Sequence, residues 1–382
     1  MTCFVADRFT GLVRDAGAEA VVYPSAFPWA DGPSGSSPLD GILDFFEESV
    51  ASLETAVARF RDDPPDLLAH DLAASETARL LARTWDVPVV QLCPAMASSP
   101  DFSMTERQAR EATGPPQPVA PDDPAITAFV ARRQRMLARH GIDQAPLEGF
   151  GAEHGPNLVF LPKAFQIASE TFDDRFAFIG PCLADAPDTG TGWHPPEGRR
   201  VVLLSLGSSH TPDQAAFLRS CVRELADSPW HVVLTLGHRV SAEELGPLPG
   251  NVEAHQWLRH AEVLRHADVF ITHAGMGSVM ESLAHRVPMV LVPYHIDQRV
   301  TARRAAELRL GRMLLREDHV GTLRAAVDEV AGDPQIAAAV AGMHRRIQEA
   351  GGARRGADVL ESLMRRPAPS PHSRATTEVN PP

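Results

Sequence analysis

The residue types best suited to chemistry gather between positions 205 and 298. His273-Ala-Gly-Met-Gly-Ser-Val-Met-Glu281 follows the strand-like run Asp268–Thr272 and opens a helical pattern. Backbone N–H groups at a helix start have no intrahelical acceptor and sit at the positive end of the dipole, so they suit an anion. Gly275 and Gly277 let a ligand approach the backbone closely, Ser278 is the expected N-cap, and His273 can donate to the same anion. A glycine-rich turn with a capping serine and a core histidine would use the same letters. A dinucleotide fingerprint fits poorly. There is no third glycine, and Glu281 lies four residues past Gly277 rather than about 20.

The motif has company. Trp257 lies 16 residues before His273, after a short strand near Val252, and offers a flat face for a base. Asp297-Gln298 follows the strand Met289–Pro293, where a carboxylate and an amide can bond vicinal sugar hydroxyls. Ser205-Leu-Gly-Ser208 ends another strand with backbone N–H groups free for a phosphate. Each feature alone reads as packing, a helix start or a tight turn. Together they imply a nucleotide-sugar ligand.

These residues need strands to carry them. Strand patterns at Val201–Leu206, Val232–Leu236, Asp268–His273 and Met289–Pro293 alternate with helix patterns at Pro212–Leu225, Ser278–His285, Ile296–Leu308 and Leu323–Val330. An earlier block reads the same way. Its strands are Met1–Ala6, Ala20–Tyr23, Asp66–Asp71 and Pro88–Leu92; its helices are Asp7–Ala16, Leu39–Arg61, Ala74–Trp85 and Ala125–His140. Such alternation predicts parallel sheets covered on both faces, hence two Rossmann-like domains with ligands at the carboxyl ends of the strands. The expected division is 1–184, a linker at 185–199 rich in proline and glycine, 200–352, a C-terminal helix at 353–366 and a disordered tail at 367–382.

Composition narrows the classes. Lysine and arginine number 36 against 49 aspartates and glutamates, a net charge of −13, which argues against a nucleic-acid partner. The cation for a phosphate must then be local. No run of about 18 apolar residues predicts a membrane span, and Met1–Ala6 does not read as a signal peptide. The four cysteines are far apart and form no C-x-x-C pair, so neither a zinc site nor a disulfide framework is expected. A cytoplasmic protein is the simplest expectation.

In order and spacing, Trp257…His273-Ala-Gly-Met-Gly-Ser278-Val-Met-Glu281…Pro293…Asp297-Gln298 resembles the donor-binding motif of GT-B glycosyltransferases, the bacterial macrolide and natural-product family above all. Val287–Pro293, Leu310-Gly-Arg-Met-Leu and Gly351-Gly-Ala-Arg-Arg add to the likeness, which runs from Met1 to about Arg365. The resemblance implies two doubly wound domains facing a central cleft. Trp257 would stack on the base of a UDP- or TDP-sugar. His273 with the Gly277 and Ser278 amides would hold the diphosphate, flanked by Ser205 and Ser208. Glu281 would bond the ribose, and Asp297 with Gln298 would read the sugar. The reaction would be an inverting transfer of a hexose to a hydroxyl of a small apolar acceptor, without metal or other cofactor. The C-terminal helix would cross back onto the first domain, and a homodimer is compatible with the family.

The sequence also departs from the family. The base histidine, in a glycine-flanked loop after the first strand, has no counterpart, and Met1 matches the start of the second strand. The expectation is a start set too far downstream rather than a true truncation, because the donor motif shows no decay. Asp71 matches the acid that orients the base. His70 would point to the opposite face of its strand. Absence of the central strand would leave unpaired edges beside Met1–Ala6 and Asp66–Asp71. After Trp257 the family often has Pro-Gln, where this chain reads Leu258-Arg259-His260. Two rivals follow: a non-catalytic partner protein on this fold, which the absent histidine favours, and an epimerase or hydrolase, which would need acidic residues between the domains.

Overall fold

The computed structural model of the chain describes residues 1–25, 38–111, 124–139, 155–183, 192–207, 213–316 and 319–364. Ser208, residues 185–191 of the expected linker and the expected tail lie outside them.

The second half of the chain builds one six-stranded sheet. Its strands are β7 (Arg200–Ser205), β8 (Trp230–Thr235), β9 (Val252–His255), β10 (Val269–Thr272), β11 (Met289–Leu291) and β12 (Gly311–Met313), in the spatial order β12-β11-β10-β7-β8-β9 and all parallel. A parallel sheet covered on both faces needs unbroken apolar runs, and Val201–Leu204, Val232–Leu234 and Val269–Ile271 supply them, fully buried. The strand order reverses between β7 and β10. That crevice is where ligands settle in open α/β sheets.

The covering helices are α7 (Gln214–Leu225), α8 (Ala242–Leu245), α9 (His260–Leu264), α10 (Met276–Ala284), α11 (Ile296–Glu307), α12 (Leu323–Gly332) and α13 (Pro334–Ala350). The sequence reading missed β12 and α13. Helix α13 has a complete set of end signals: Asp333 caps it by accepting from Gln335 N at 2.7 Å, Pro334 opens it, and Gly351 closes it at φ 89°.

The first half divides its strands between two sheets. Strands β1 (Thr2–Val5) and β2 (Glu19–Val22) form a parallel pair. Strands β3 (Leu68–His70), β4 (Val89–Cys93), β5 (Asn157–Val159) and β6 (Phe176–Phe178) form a parallel sheet in that order. Among the described residues β1 pairs with β2 alone and β3 with β4 alone, so each keeps one unpaired edge. Helices α1 (Thr10–Asp15), α2 (Pro38–Ala51), α3 (Leu53–Phe60), α4 (Ser75–Trp85), α5 (Met104–Glu111) and α6 (Pro124–Arg139) complete this half. The single helix expected over Leu39–Arg61 is thus two, parted at Ser52. The helix expected from Asp7 opens as a 3-10 turn, Asp7–Phe9. A small cluster of Leu53, Ala56, Leu80 and Leu81 joins the sheets, with Phe4 of β1 and Leu68 of β3 packed on it.

Helix α14 (Gly352–Met364) lies on the first half's sheet. Val359, Leu360 and Leu363 pack against Val90, Leu158 and Ile179. The halves also meet at α11. Arg304 donates to the carbonyls of Ala164, Phe165 and Gln166 at 3.2, 2.9 and 3.1 Å, and Arg303 pairs with Glu111 at 2.9 Å.

Candidate donor site at the strand switch point

The register sets Ser205, the last residue of β7, beside Thr272, the last of β10. The next residue, His273, enters the crevice between them. Ala274 then turns the chain through a left-handed conformation at φ 66°, an uncommon one for a residue with a Cβ. That turn makes Gly275 the N-cap of α10, with no side-chain cap. Ser278 is therefore at the third helical position rather than the N-cap. The helix starts earlier than its letters suggest because the backbone reverses at Ala274. The first-turn amides of Met276, Gly277 and Ser278 are left without intrahelical acceptors.

Two glycines make room for the His273 ring. A Cβ on Gly275 would lie 2.4 Å from His273 Nε2, and one on Gly207 would lie 2.5 Å from Cε1. The Cβ position of Gly277, by contrast, faces open space. His273 is buried, and its Nδ1 has no hydrogen-bond partner. Burial, helped by the charges of His260, Arg316 and His295, pushes its pKa down to about 4. The Ser205 carbonyl beside the ring pulls weakly the other way. A neutral imidazole thus lines the crevice near pH 7, able to donate one hydrogen bond.

Around this cradle the remaining residues fall into three groups. Trp257 is 67% exposed, and His238 stacks on one indole face at 5.5 Å and 19°. Gln256 ties the His238 loop down by donating to the Gly237 and Val240 carbonyls. Glu281 lies within 3.4 Å of His260 Nδ1, and His260 Nε2 is 3.3 Å from Thr235 Oγ1, so a Thr–His–Glu chain holds the carboxylate. Asp297 is exposed at the start of α11. Gln298 is 2% exposed, and its Oε1 accepts from the Tyr294 and His295 amides at 2.9 and 3.1 Å. The two neighbours therefore differ in availability. Asp297 is free to meet a ligand, whereas Gln298 has only its Nε2 left after capping the helix.

Asp71 stands apart from the cradle, in the first half. Its Oδ1 accepts from Ala74 N at 3.1 Å and caps a short 3-10 turn. Burial raises the Cys3 and Tyr23 pKa values, and the Asp71 charge adds to both, which places Asp71 near β1 and the end of β2. His70 is buried on the other side of the strand, in register with Gln91 and Asn157, with Nδ1 on the Asp71 carbonyl at 2.7 Å.

Sequence reasoning did not find His238 as the partner of Trp257, His260 as the partner of Glu281, or Arg316. His260 belongs to the stretch after Trp257 where the sequence departs from the family, so a signal was present. His238 and Arg316 reach the site from loops after β8 and β12, and only the strand order brings them there.

Comparison with known proteins identifies the family of the chain. Residues 219–352 match the family described as erythromycin biosynthesis protein CIII-like, C-terminal domain. The chain is 37% identical to demethyllactenocin mycarosyltransferase of Streptomyces fradiae, over 85% of this chain and 69% of that protein. It is 35% identical to oleandomycin glycosyltransferase of Streptomyces antibioticus, over 96% and 84%. The structure of CalG4, the calicheamicin glycosyltransferase, superposes with a TM-score of 0.83 at 37% identity, covering 96% of this chain and 91% of that one. With relatives this similar over most of their length, and with the strand order and crevice described above, the chain belongs to the bacterial natural-product glycosyltransferases of the GT-B fold.

Proposed function

We propose that this chain transfers a hexose from a UDP- or TDP-sugar to a hydroxyl of a macrolide-like or other apolar natural product, with inversion. The observation that carries the reading is the crevice between β7 and β10, where uncapped α10 amides and a neutral His273 converge. The base would stack on the Trp257 face opposite His238. The Glu281 carboxylate, held by His260, would accept from the ribose hydroxyls. The diphosphate would lie across the first turn of α10, flanked by Ser205, and Asp297 with the Gln298 amide would reach the sugar.

The chemistry follows from charge. As the sugar leaves, negative charge grows on the diphosphate, and donors fixed in advance stabilise it without reorganising. The reading invokes no metal. The acceptor hydroxyl must lose its proton to a general base. Asp71 is the proposed carboxylate of that half-reaction, orienting a base imidazole. Among the described residues its side chain bonds only Ala74 N, and His70 faces away from it. All four cysteines are free, in keeping with a reducing, cytoplasmic setting. No helix among the described residues is long and apolar enough to cross a membrane.

The test pairs UDP-glucose and TDP-glucose with a macrolide panel and seeks the hexose-bearing product by mass spectrometry. Asp297→Asn should lower transfer by about 10-fold or more while free UDP binds nearly as before, since one hydrogen bond to a charged group is worth about 1.5–3 kcal/mol. Equal losses in both would remove Asp297 from sugar reading. Tight donor binding with no transfer to any acceptor would favour a non-catalytic partner protein instead.

A further inference from the structure

Arg316 lies three residues past β12, on the carboxyl side of the sheet, and is far from the donor motif in sequence. Its guanidinium carbon sits 4.4 Å from the ring centroid of Phe217, on α7, and 5.0 Å from that of Tyr294, just before α11. Helix α7 follows β7, whereas Arg316 follows β12. Strands β11 and β10, the latter leading into the cradle, lie between β12 and β7 in the sheet. The segment is pinned in place: His319 bonds Ser220 of α7 through one ring nitrogen and the Arg316 carbonyl through the other.

Within this stack Nε and Nη2 of Arg316 are buried without any hydrogen-bond partner. Among the described residues, the groups around the guanidinium carry no compensating charge. Phe217 and Tyr294 are aromatic, the buried Cys221 thiol is held protonated, and His273 is neutral. The Arg316 charge is close enough to His273 to help depress its pKa. Buried cations left without a partner are strongly unfavourable. One in a preformed slot on the carboxyl side of the sheet, near enough to His273 to act on it, is arranged for an anion that arrives later. The acidic chain needs such a local cation for a phosphate.

We propose that Arg316 is a donor-diphosphate ligand, whose bare N–H groups take the oxygens that gain charge as the nucleoside diphosphate leaves. Phe217 and Tyr294 hold the guanidinium plane so that the fork is set before the donor binds. This rests on the nucleotide-sugar reading of the crevice.

The experiment measures calorimetric Kd values for TDP, UDP, TMP and UMP on the wild-type chain and on Arg316→Gln, Arg316→Lys and Trp257→Ala. Arg316→Gln should weaken diphosphate binding by about 10- to 100-fold, the value of a charge-assisted hydrogen bond, and shrink the diphosphate-to-monophosphate preference. Arg316→Lys should fall between, because a point charge replaces a planar fork, and it decides the matter where the glutamine variant does not fold. Trp257→Ala should weaken both phosphate classes alike. An unchanged preference in the folded Arg316 variants, with or without a lower melting temperature, would make Arg316 a structural brace and overturn the proposal. A wild-type chain indifferent to all four nucleotides would overturn the site reading, and the role of Arg316 with it.

Discussion

His273 shows how one residue ties stability to the site. Its pKa is about 4 in the folded chain, against about 6.5 when unfolded. Between those values the unfolded chain binds the extra proton. The stabilising contribution is therefore complete above pH 6.5 and is lost as pH falls towards 4, on the order of 3 kcal/mol in all. Melting curves from pH 7 to 4 should be flatter for His273→Gln than for the wild type, and parallel curves would show that the imidazole is not held neutral by burial. Gly275→Ala tests the same packing from the other side. A Cβ 2.4 Å from His273 Nε2 must displace the ring, so this substitution should lower UDP affinity at least as much as His273→Ala does. Residue letters revealed most of this cluster, because glycine, histidine and glutamate types at the end of a strand suggest their own chemistry. They misassigned Ser278, whose capping preference was real but lost to the reversal at Ala274. They also could not show that Gln298 spends its carbonyl on its own helix, or that Arg316 comes to lie between Phe217 and Tyr294.

Elements were legible in proportion to their length. The long apolar strands of the second sheet and the helices between them stand out from periodicity alone. Strands β5, β6 and β12 have three residues each, too few to establish a period; β3 and β11, equally short, were found only as parts of longer strand-like runs. The omission of α13 has a different cause. Its Asp333-Pro334 opening and Gly351 stop are plain in the sequence, but alanines on its surface dilute the amphipathic pattern. Those end signals carry measurable weight. Asp333→Ala should cost about 1 kcal/mol of stability through the lost cap, read from denaturant midpoints. A change near zero would mean that packing of Ile336, Val340 and Met343 alone sets the helix start.

At the scale of the molecule, α11 links chemistry and architecture. Its first turn presents Asp297 to the crevice, and two turns later Arg304 grips three carbonyls of the first half. Arg304→Ala should speed hydrogen exchange around residues 164–166 and destabilise the chain by about 2 kcal/mol. Unchanged exchange would show that the apolar contacts carry the junction unaided. The two-domain α/β architecture was readable from alternation. The separation of β1–β2 from β3–β6 also followed from sequence, since neither β1 nor β3 has a partner on its inner edge. What could not be read was the junction at α11, because Arg304 and the carbonyls it binds are about 140 residues apart and no local pattern links them.

The most direct test of the donor site is a crystal structure of the chain soaked with TDP or UDP. The account predicts the base on the Trp257 face opposite His238, the ribose at Glu281, and the diphosphate across the amides of Met276, Gly277 and Ser278 between the ends of β7 and β10. A nucleotide bound elsewhere, or one whose phosphates point away from α10, would contradict it.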